Sequence, residues 1–312
     1  AYEIGARLVG SEMCIRDSVS AVVPSEEDAF DMVRDLLDHL PLTCFDEAPE
    51  FAAPSDADVA EDEDLNSFMP DDTNAGYDMM DLLTQLGDDE DIIEIQENFA
   101  PNMITAFGRI DGKTVGFVAN NPMHLAGCID ADAADKGARF IRICDAYNIP
   151  LVFVVDTPGY LPGVEQEKVG LIHRGAKFAF AVVEATVPKV SLIVRKAYGG
   201  AYAVMGSKNL TGDINLAWPT AQIAVMGAAA AVVMIAGKQL DAAETPEQRE
   251  MTKKMFMDFY DETMTAPYVA AERGYLDAMI QPNQSRLALR QALRQLACLL
   301  YTSPSPRDGL LS

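Results

Sequence analysis

Between residues 114 and 238 the sequence alternates short apolar runs with helix-like stretches, and this alternation restricts the fold more than any other feature. TVGFVA (114–119), LVFVV (151–155) and VSLIV (190–194) read as continuous rather than alternating runs. Strands of that kind need cover on both faces, as in a parallel sheet between helices. The first leads into a helical pattern at 131–147, the second through DTPGYLPG into 165–185, and the third through RKAYGG into a small-residue helix at 200–208. Strands at 214–217 and 222–226 then precede helices at 228–238, 246–264 and 283–297. With right-handed crossovers this order predicts an α/β layered domain. Its ligand site belongs at the carboxyl ends of the strands, where the loops are richest in Gly and Pro. Upstream, MITAFGRI and TVGFVAN flank Asp111-Gly112, a hairpin signal.

The 312 residues allow two domains on length alone, and charge divides the chain unevenly. Residues 1–100 carry 28 of the 48 acidic side chains and only 3 of the 24 basic ones. A net charge of −24 argues against a nucleic-acid partner. Within this front, residues 25–40 predict a capped helix, with Ser25 three residues before Asp28 and Ala29, Phe30, Val33, Leu36, Leu37 and Leu40 at helical spacing. Residues 46–76 read as an acidic linker or surface excursion, followed by a short amphipathic helix at 77–86. The uncharged run Ile214–Gly237 is long enough to span a bilayer, yet Asn215, Pro219, Thr220 and Gln222 favour a buried strand pair and a buried helix. The five cysteines form no CxxC pair and no cluster with His, so neither a metal site nor a disulfide framework is expected; a reducing cytoplasm is the default location. Residues 1–18 and 298–312 match nothing around them and resemble translated sequencing-adapter readthrough, to be excluded from fold reasoning; ordinary disordered tails are the alternative. That leaves an acidic helix-and-linker segment at 19–99 and one domain at 100–297.

Conventional side-chain catalysts are missing: the sequence holds no GxSxG, HExxH, P-loop or GxGxxG after a strand. His39, His124 and His173 are scattered and read as structural. Asp156, closing the strand at VVDTPG, either orients a loop, binds an ion or simply caps a turn. Backbone amides are the better candidates. After Val194 the chain reads RKAYGGAYAVMGSK, and Gly199-Gly200-Ala201 would form a close-approach turn opening a helix. Amides in a first helical turn point outward and attract negative charge, so this is an oxyanion hole without a nucleophile. A glycine pair before a helix also occurs merely as a packing turn.

The stretch from about residue 95 to 297 resembles the carboxyltransferase (β) subunits of biotin-dependent acyl-CoA carboxylases, the propionyl-/acetyl-CoA carboxylase family. IPLVFVVDTPGYLPG, ATVPKV and RKAYGGAY stand in the family's order and spacing. The resemblance implies a crotonase-like (ClpP/crotonase) spiral ββα fold and, within it, the C-terminal carboxyltransferase domain. It also implies homo-oligomeric hexamers, an acyl-CoA substrate, and a partner subunit carrying biotin carboxylase and the biotin carrier; no membrane partner is expected. Carboxybiotin would arrive on that carrier and release CO2, and the biotin anion would take the α-proton. The amides of Gly200 and Ala201 would form the oxyanion hole; Gly199, Tyr202, Ala203, Pro158, Gly159, Tyr160, Asn121 and Gly127 would line the substrate mouth. Ala203 occupies a position linked to acyl-chain choice and matches neither the acidic nor the apolar variant; propionyl-type similarity is slightly greater than acetyl-type. No acyl-CoA-binding half precedes residue 25, so the sequence is expected to be a fragment, inactive alone. Two other readings stay open: a subunit of a sodium-pumping, biotin-dependent decarboxylase, and a non-catalytic crotonase-like interaction module. Strand-and-helix surfaces rich in Met and Ala around Tyr202–Leu210 are expected to be partly exposed, for subunit contacts.

Overall fold

The structure, a computed structural model, describes residues 19–54, 62–70, 72, 75–89, 91–243 and 245–300. Of the segments expected to be foreign, 1–18 and 301–312 lie outside these residues, while 298–300 fall in the last turn of the C-terminal helix. Three strands open one sheet as an antiparallel meander: β1 (Ile92–Glu94), β2 (Met103–Ile110) and β3 (Lys113–Asn120). From β3 the chain adds β4 (Leu151–Thr157), β5 (Lys189–Tyr198) and β6 (Ile214–Ala217) in parallel; β7 (Gln222–Ala224) pairs with the far half of β5, and β8 (Ala278–Met279) with β6. The helices are α1 (Glu26–His39), α2 (Met79–Leu86), α3 (Ala131–Ala146), α4 (Val164–Lys168), α5 (Leu171–Glu184), α6 (Gly199–Val204), α7 (Ala228–Asp241), α8 (Pro246–Tyr260), α9 (Pro267–Glu272) and α10 (Ser285–Leu300).

The apolar runs are continuous because the sheet has two cores. Successive side chains of a strand point to opposite faces. Leu151, Phe153 and Val155 of β4 join Phe107, Phe140, Phe178 and Ile193 on one face. Val152 and Val154 join Leu82, Leu192, Trp218 and Leu289 on the other. Helices α3 and α5 supply the first core with Phe140 and Phe178, and α2 and α10 supply the second with Leu82 and Leu289.

The hairpin stands where Asp111-Gly112 places it. Both residues have positive φ, 62° and 71°, as a two-residue type I′ loop requires. A Cβ on Gly112 would lie 2.0 Å from the carbonyl oxygen of Phe51, whose amide in turn donates to Gly112 O at 2.9 Å. Gly112→Ala is therefore expected to cost about 2 kcal/mol or more in urea unfolding, from left-handed strain plus the displaced Phe51 strand of chain.

Several expectations are corrected. The helix expected at 165–185 breaks at Gly170, which takes φ 82° and starts α5 anew. The RKAY residues read as loop continue β5 to Tyr198, and the helix expected at 200–208 runs only from Gly199 to Val204. Of the stretch expected to be partly exposed, Lys208 and Asn209 are exposed, but Tyr202, Val204 and Met205 are buried, because α6 packs back against β4, β5 and α5. Exposed apolar surface lies instead on α7 (Val233, Met234, Ile235) and α8 (Met251, Met255, Phe259), so the helix expected to be buried after residue 228 buries only one face. Ser25 does cap α1, its Oγ accepting from Asp28 N at 3.1 Å, but Phe30, Val33 and Leu37 face outward. The acidic excursion is pinned by Leu65, which is fully buried against the second core.

One buried charge sets a pH dependence. Lys136 of α3 is 0 % exposed and lies 3.6 Å from Glu94, too far for a hydrogen bond. Burial outweighs that attraction, pushing the Lys136 ammonium down to about 8 and the Glu94 carboxyl up from the usual range. Between pH 8 and the ordinary lysine range the unfolded chain binds more protons, so this group's contribution makes stability rise with pH. The gain is about 3 kcal/mol at most. Denaturation of wild type and Lys136→Met at pH 7.5 and 10 should show the rise in the wild type only.

Candidate active site

The site is built where β4 and β5 lose register. They pair evenly from Leu151/Lys189 to Val155/Ile193, then slip, so that Thr157 meets Ala197. Beyond the slip β5 changes neighbours, from β6 at Val190–Ile193 to β7 at Lys196–Tyr198. The redirected strand passes straight into Gly199. Gly199 has φ 59°, and a Cβ there would lie 3.0 Å from Val225 O, so glycine is required. Gly200 is exposed; the nearest atoms to a Cβ there are ring carbons of Tyr160 at 3.8 and 3.9 Å. Amides in the first turn of α6 have no carbonyl four residues back within the helix.

Tyr160 reaches this turn from the loop after β4. Gly159 O accepts from Ile129 N at 3.1 Å and Leu161 N donates to Ile129 O at 2.9 Å, which fixes the loop on both sides of the ring. A cavity of about 520 Å³ beside the turn is lined by Gly199, Gly200 and Tyr202 together with Tyr260, Val269, Arg273 and Tyr275. Burial pushes both Tyr160 and Tyr202 up to about 12, so near neutral pH these phenols are donors and not bases. Among the described residues the lining carries no carboxylate and no histidine. His124 and His173 are exposed elsewhere; His39 is buried, its Nδ1 2.9 Å from Asp35 O, with burial lowering its pKa.

Of the residues singled out in the sequence, Gly199, Gly200 and Tyr202 meet at the cavity and Tyr160 stands beside Gly200. Ala201 is fully buried beneath the turn, leaving Gly200 as the open residue of the pair. Ala203 is half-buried and outside the lining. Pro158 and Gly159 belong to the loop that carries Tyr160. Of the two residues singled out after β3, Gly127, at φ 75°, approaches the end of β4 so closely that a Cβ would lie 2.4 Å from Asp156 O, whereas Asn121 N donates to Asn102 O at 3.0 Å, ahead of β2, and is not brought to the cavity. The wall from Tyr260 to Tyr275 carries no sequence signal and arises from how α8 and α9 fold back. Asp156 turns out to be neither a local cap nor a bare turn residue. Its carboxylate accepts from Tyr77 Oη (2.8 Å), Arg195 Nε (2.9 Å) and Lys196 N (3.0 Å).

Among the described residues no group of three or more His, Cys, Asp or Glu could hold a metal, and no helix is long and apolar enough to cross a membrane.

Comparison with known proteins agrees with this architecture. Residues 8–308 match the carboxyl transferase domain family. The biotin-dependent acetyl-/propionyl-coenzyme A carboxylase beta5 subunit of Mycobacterium leprae is 48% identical over 92% of this chain and 54% of its own length. The methylmalonyl-CoA decarboxylase subunit alpha of Propionigenium modestum is 44% identical over 98% of this chain and 59% of its own. Among solved structures, the transcarboxylase 12S hexamer with methylmalonyl-coenzyme A and methylmalonic acid bound superposes with a TM-score of 0.86 at 39% identity, covering 92% of this chain and 54% of that one. The chain thus spans about half the length of the relatives it matches. The fold is the crotonase-like α/β carboxyltransferase fold expected from the sequence. On the match over residues 8–308 and on these identities, the chain belongs to the carboxyl transferase domain family.

Proposed function

We propose that this chain forms the biotin-facing half of a carboxyltransferase site, in a subunit that moves a carboxyl group from carboxybiotin to the α-carbon of a short acyl-CoA, propionyl-CoA ahead of acetyl-CoA. The observation that carries the reading is the Gly199-Gly200 turn opening onto the cavity, with no side-chain base in its lining. A planar ureido group fits such a place: glycine leaves the amide open where a Cβ would intrude. The carrier's biotin, when bound, supplies both the carboxyl group and the proton acceptor. The Gly200 amide donates to a carbonyl oxygen on which charge grows, with the Ala201 amide behind it. Tyr160 stands beside the turn.

The partners on this reading are a biotin-carrying carboxylase subunit, the acyl-CoA, and further copies in a hexamer, working in the cytoplasm. The test is transfer by a subunit of the relatives' full length carrying this chain, supplied with a carboxylated carrier and either propionyl-CoA or acetyl-CoA. Malonyl-type products from both, with propionyl-CoA preferred, are expected. Decarboxylation of the carboxylated acyl-CoA only, with no forward transfer, would favour the decarboxylase reading; no transfer in either direction would leave a non-catalytic module.

A further inference from the structure

Asp156 is buried, 1 % exposed, and sits opposite the two extra residues that the slipped register leaves on β5. A slip of this kind removes ladder hydrogen bonds. The Asp156 carboxylate substitutes for one of them, taking the backbone amide of Lys196 at 3.0 Å, and also accepts from the Arg195 guanidinium at 2.9 Å; both residues lie within the slip. Its second oxygen is shared with the Tyr77 phenol at 2.8 Å, and the Asp156 amide donates to Asn120 Oδ1 at 3.3 Å. Arg195 is held in turn by Ala75 O at 2.8 Å and lies over the Tyr77 ring at 4.8 Å. One carboxylate therefore ties together β4, β5 and the chain before α2.

The two strands it ties diverge at once into the two sides of the site. Four residues beyond Asp156, in the loop after its strand, is Tyr160; four residues beyond Lys196 is Gly200. Because Lys196–Tyr198 pairs with β7 and not β6, the direction in which the Gly200 amide points depends on where the slip is locked. Apolar packing cannot lock it, since a register shift needs a hydrogen-bonding partner for the displaced amide.

We infer that Asp156 is a positioning residue for carboxyl transfer, holding the slipped β4–β5 register so that Gly200 opens onto the cavity with the Tyr160 ring beside it. The inference rests on the proposed role of Gly200. Asparagine at 156 keeps the shape but offers one acceptor oxygen to three donors, so at least one of them is released. A donor displaced by about an ångström is enough to lower turnover about a hundredfold.

The test uses a full-length subunit carrying this chain, a carboxylated carrier and propionyl-CoA, with Asp156→Asn and Gly200→Val compared at matched folded content. For Asp156→Asn the expected result is kcat about a hundredfold lower with the KM for acyl-CoA unchanged. Amide hydrogen exchange should quicken over residues 196–201 while the β2–β3 hairpin keeps its protection. Wild-type kcat in Asp156→Asn beside a collapse in Gly200→Val overturns the positioning role and leaves the Gly200 reading standing. Wild-type kcat in both removes the reading and this inference with it. A fall in kcat with unchanged exchange at 196–201 also overturns it. If Asp156→Asn does not fold, Tyr77→Phe decides: it removes one donor to the same oxygen, and a lower kcat with faster exchange at 196–201 supports the role, whereas wild-type values for both refute it.

Discussion

Gly200→Val, placed in a full-length subunit carrying this chain, is expected to lower carboxyl transfer by about a hundredfold or more, the scale of losing one oxyanion donor. The structure makes this a clean substitution. A Cβ at position 200 meets nothing closer than the Tyr160 ring at 3.8 Å, an ordinary contact, and Gly200 is not among the glycines with positive φ. The turn itself is therefore not strained, and the stability cost of valine in a first helical turn should stay within about 1 kcal/mol. What valine does change is access. Its branched methyls occupy the space through which a carbonyl oxygen must come to the amide. Gly200→Ala, with one methyl only, should fall between valine and wild type. Gly199→Ala is a poor control, because φ 59° and Val225 O at 3.0 Å would distort the turn itself. Urea midpoints and turnover measured on the same preparations separate access from folding.

Trp218→Ala should be the largest loss of stability among single core substitutions, about 3–5 kcal/mol. Trp218 is the chain's single tryptophan and is 0 % exposed at the end of β6. Its indole packs in the second core, and its Nε1 donates to Ser285 Oγ at 2.8 Å, joining the sheet to the first residue of α10. Alanine leaves a cavity of indole size and an unpaired hydroxyl. Because the fluorescent group itself is lost, circular dichroism in urea is the suitable measurement. Ser285→Ala separates the two contributions: it keeps the packing and leaves only the indole N–H unpaired, at about 1–3 kcal/mol. A Trp218→Ala loss no greater than that of Ser285→Ala would mean that the second core does not depend on the indole.

What could be read from the sequence is what local chemistry determines. The hairpin at Asp111-Gly112 needed only two residues able to take positive φ between apolar runs. The cap of α1 needed only Ser25 ahead of Asp28. The strands at 151 and 190 announced themselves because both faces of the sheet are covered. The continuation of β5 through Arg195–Tyr198 did not, because its hydrogen bonds go to a carboxylate on β4 and to β7, a strand some two dozen residues later. The site divides in the same way. Gly199, Gly200 and Tyr202 were legible as a glycine turn opening a helix. Tyr260, Arg273 and Tyr275 were not, since their place in the wall depends on how α8 and α9 return across β7. Exposure was misjudged for a related reason: Met205 looks like surface in a Met- and Ala-rich stretch, but α6 is folded onto β5 and buries it.

The most direct test of the backbone-amide account compares Gly200→Val with His124→Gln and His173→Gln, again in the full-length subunit and at matched folded content. Loss of a general base costs about 10²–10⁴-fold in rate. Neither histidine lines the cavity, and both are exposed. The account predicts that both histidine variants keep carboxyl transfer within about tenfold of wild type while Gly200→Val loses about a hundredfold or more. Collapse of transfer in either histidine variant, with Gly200→Val still active, would contradict it.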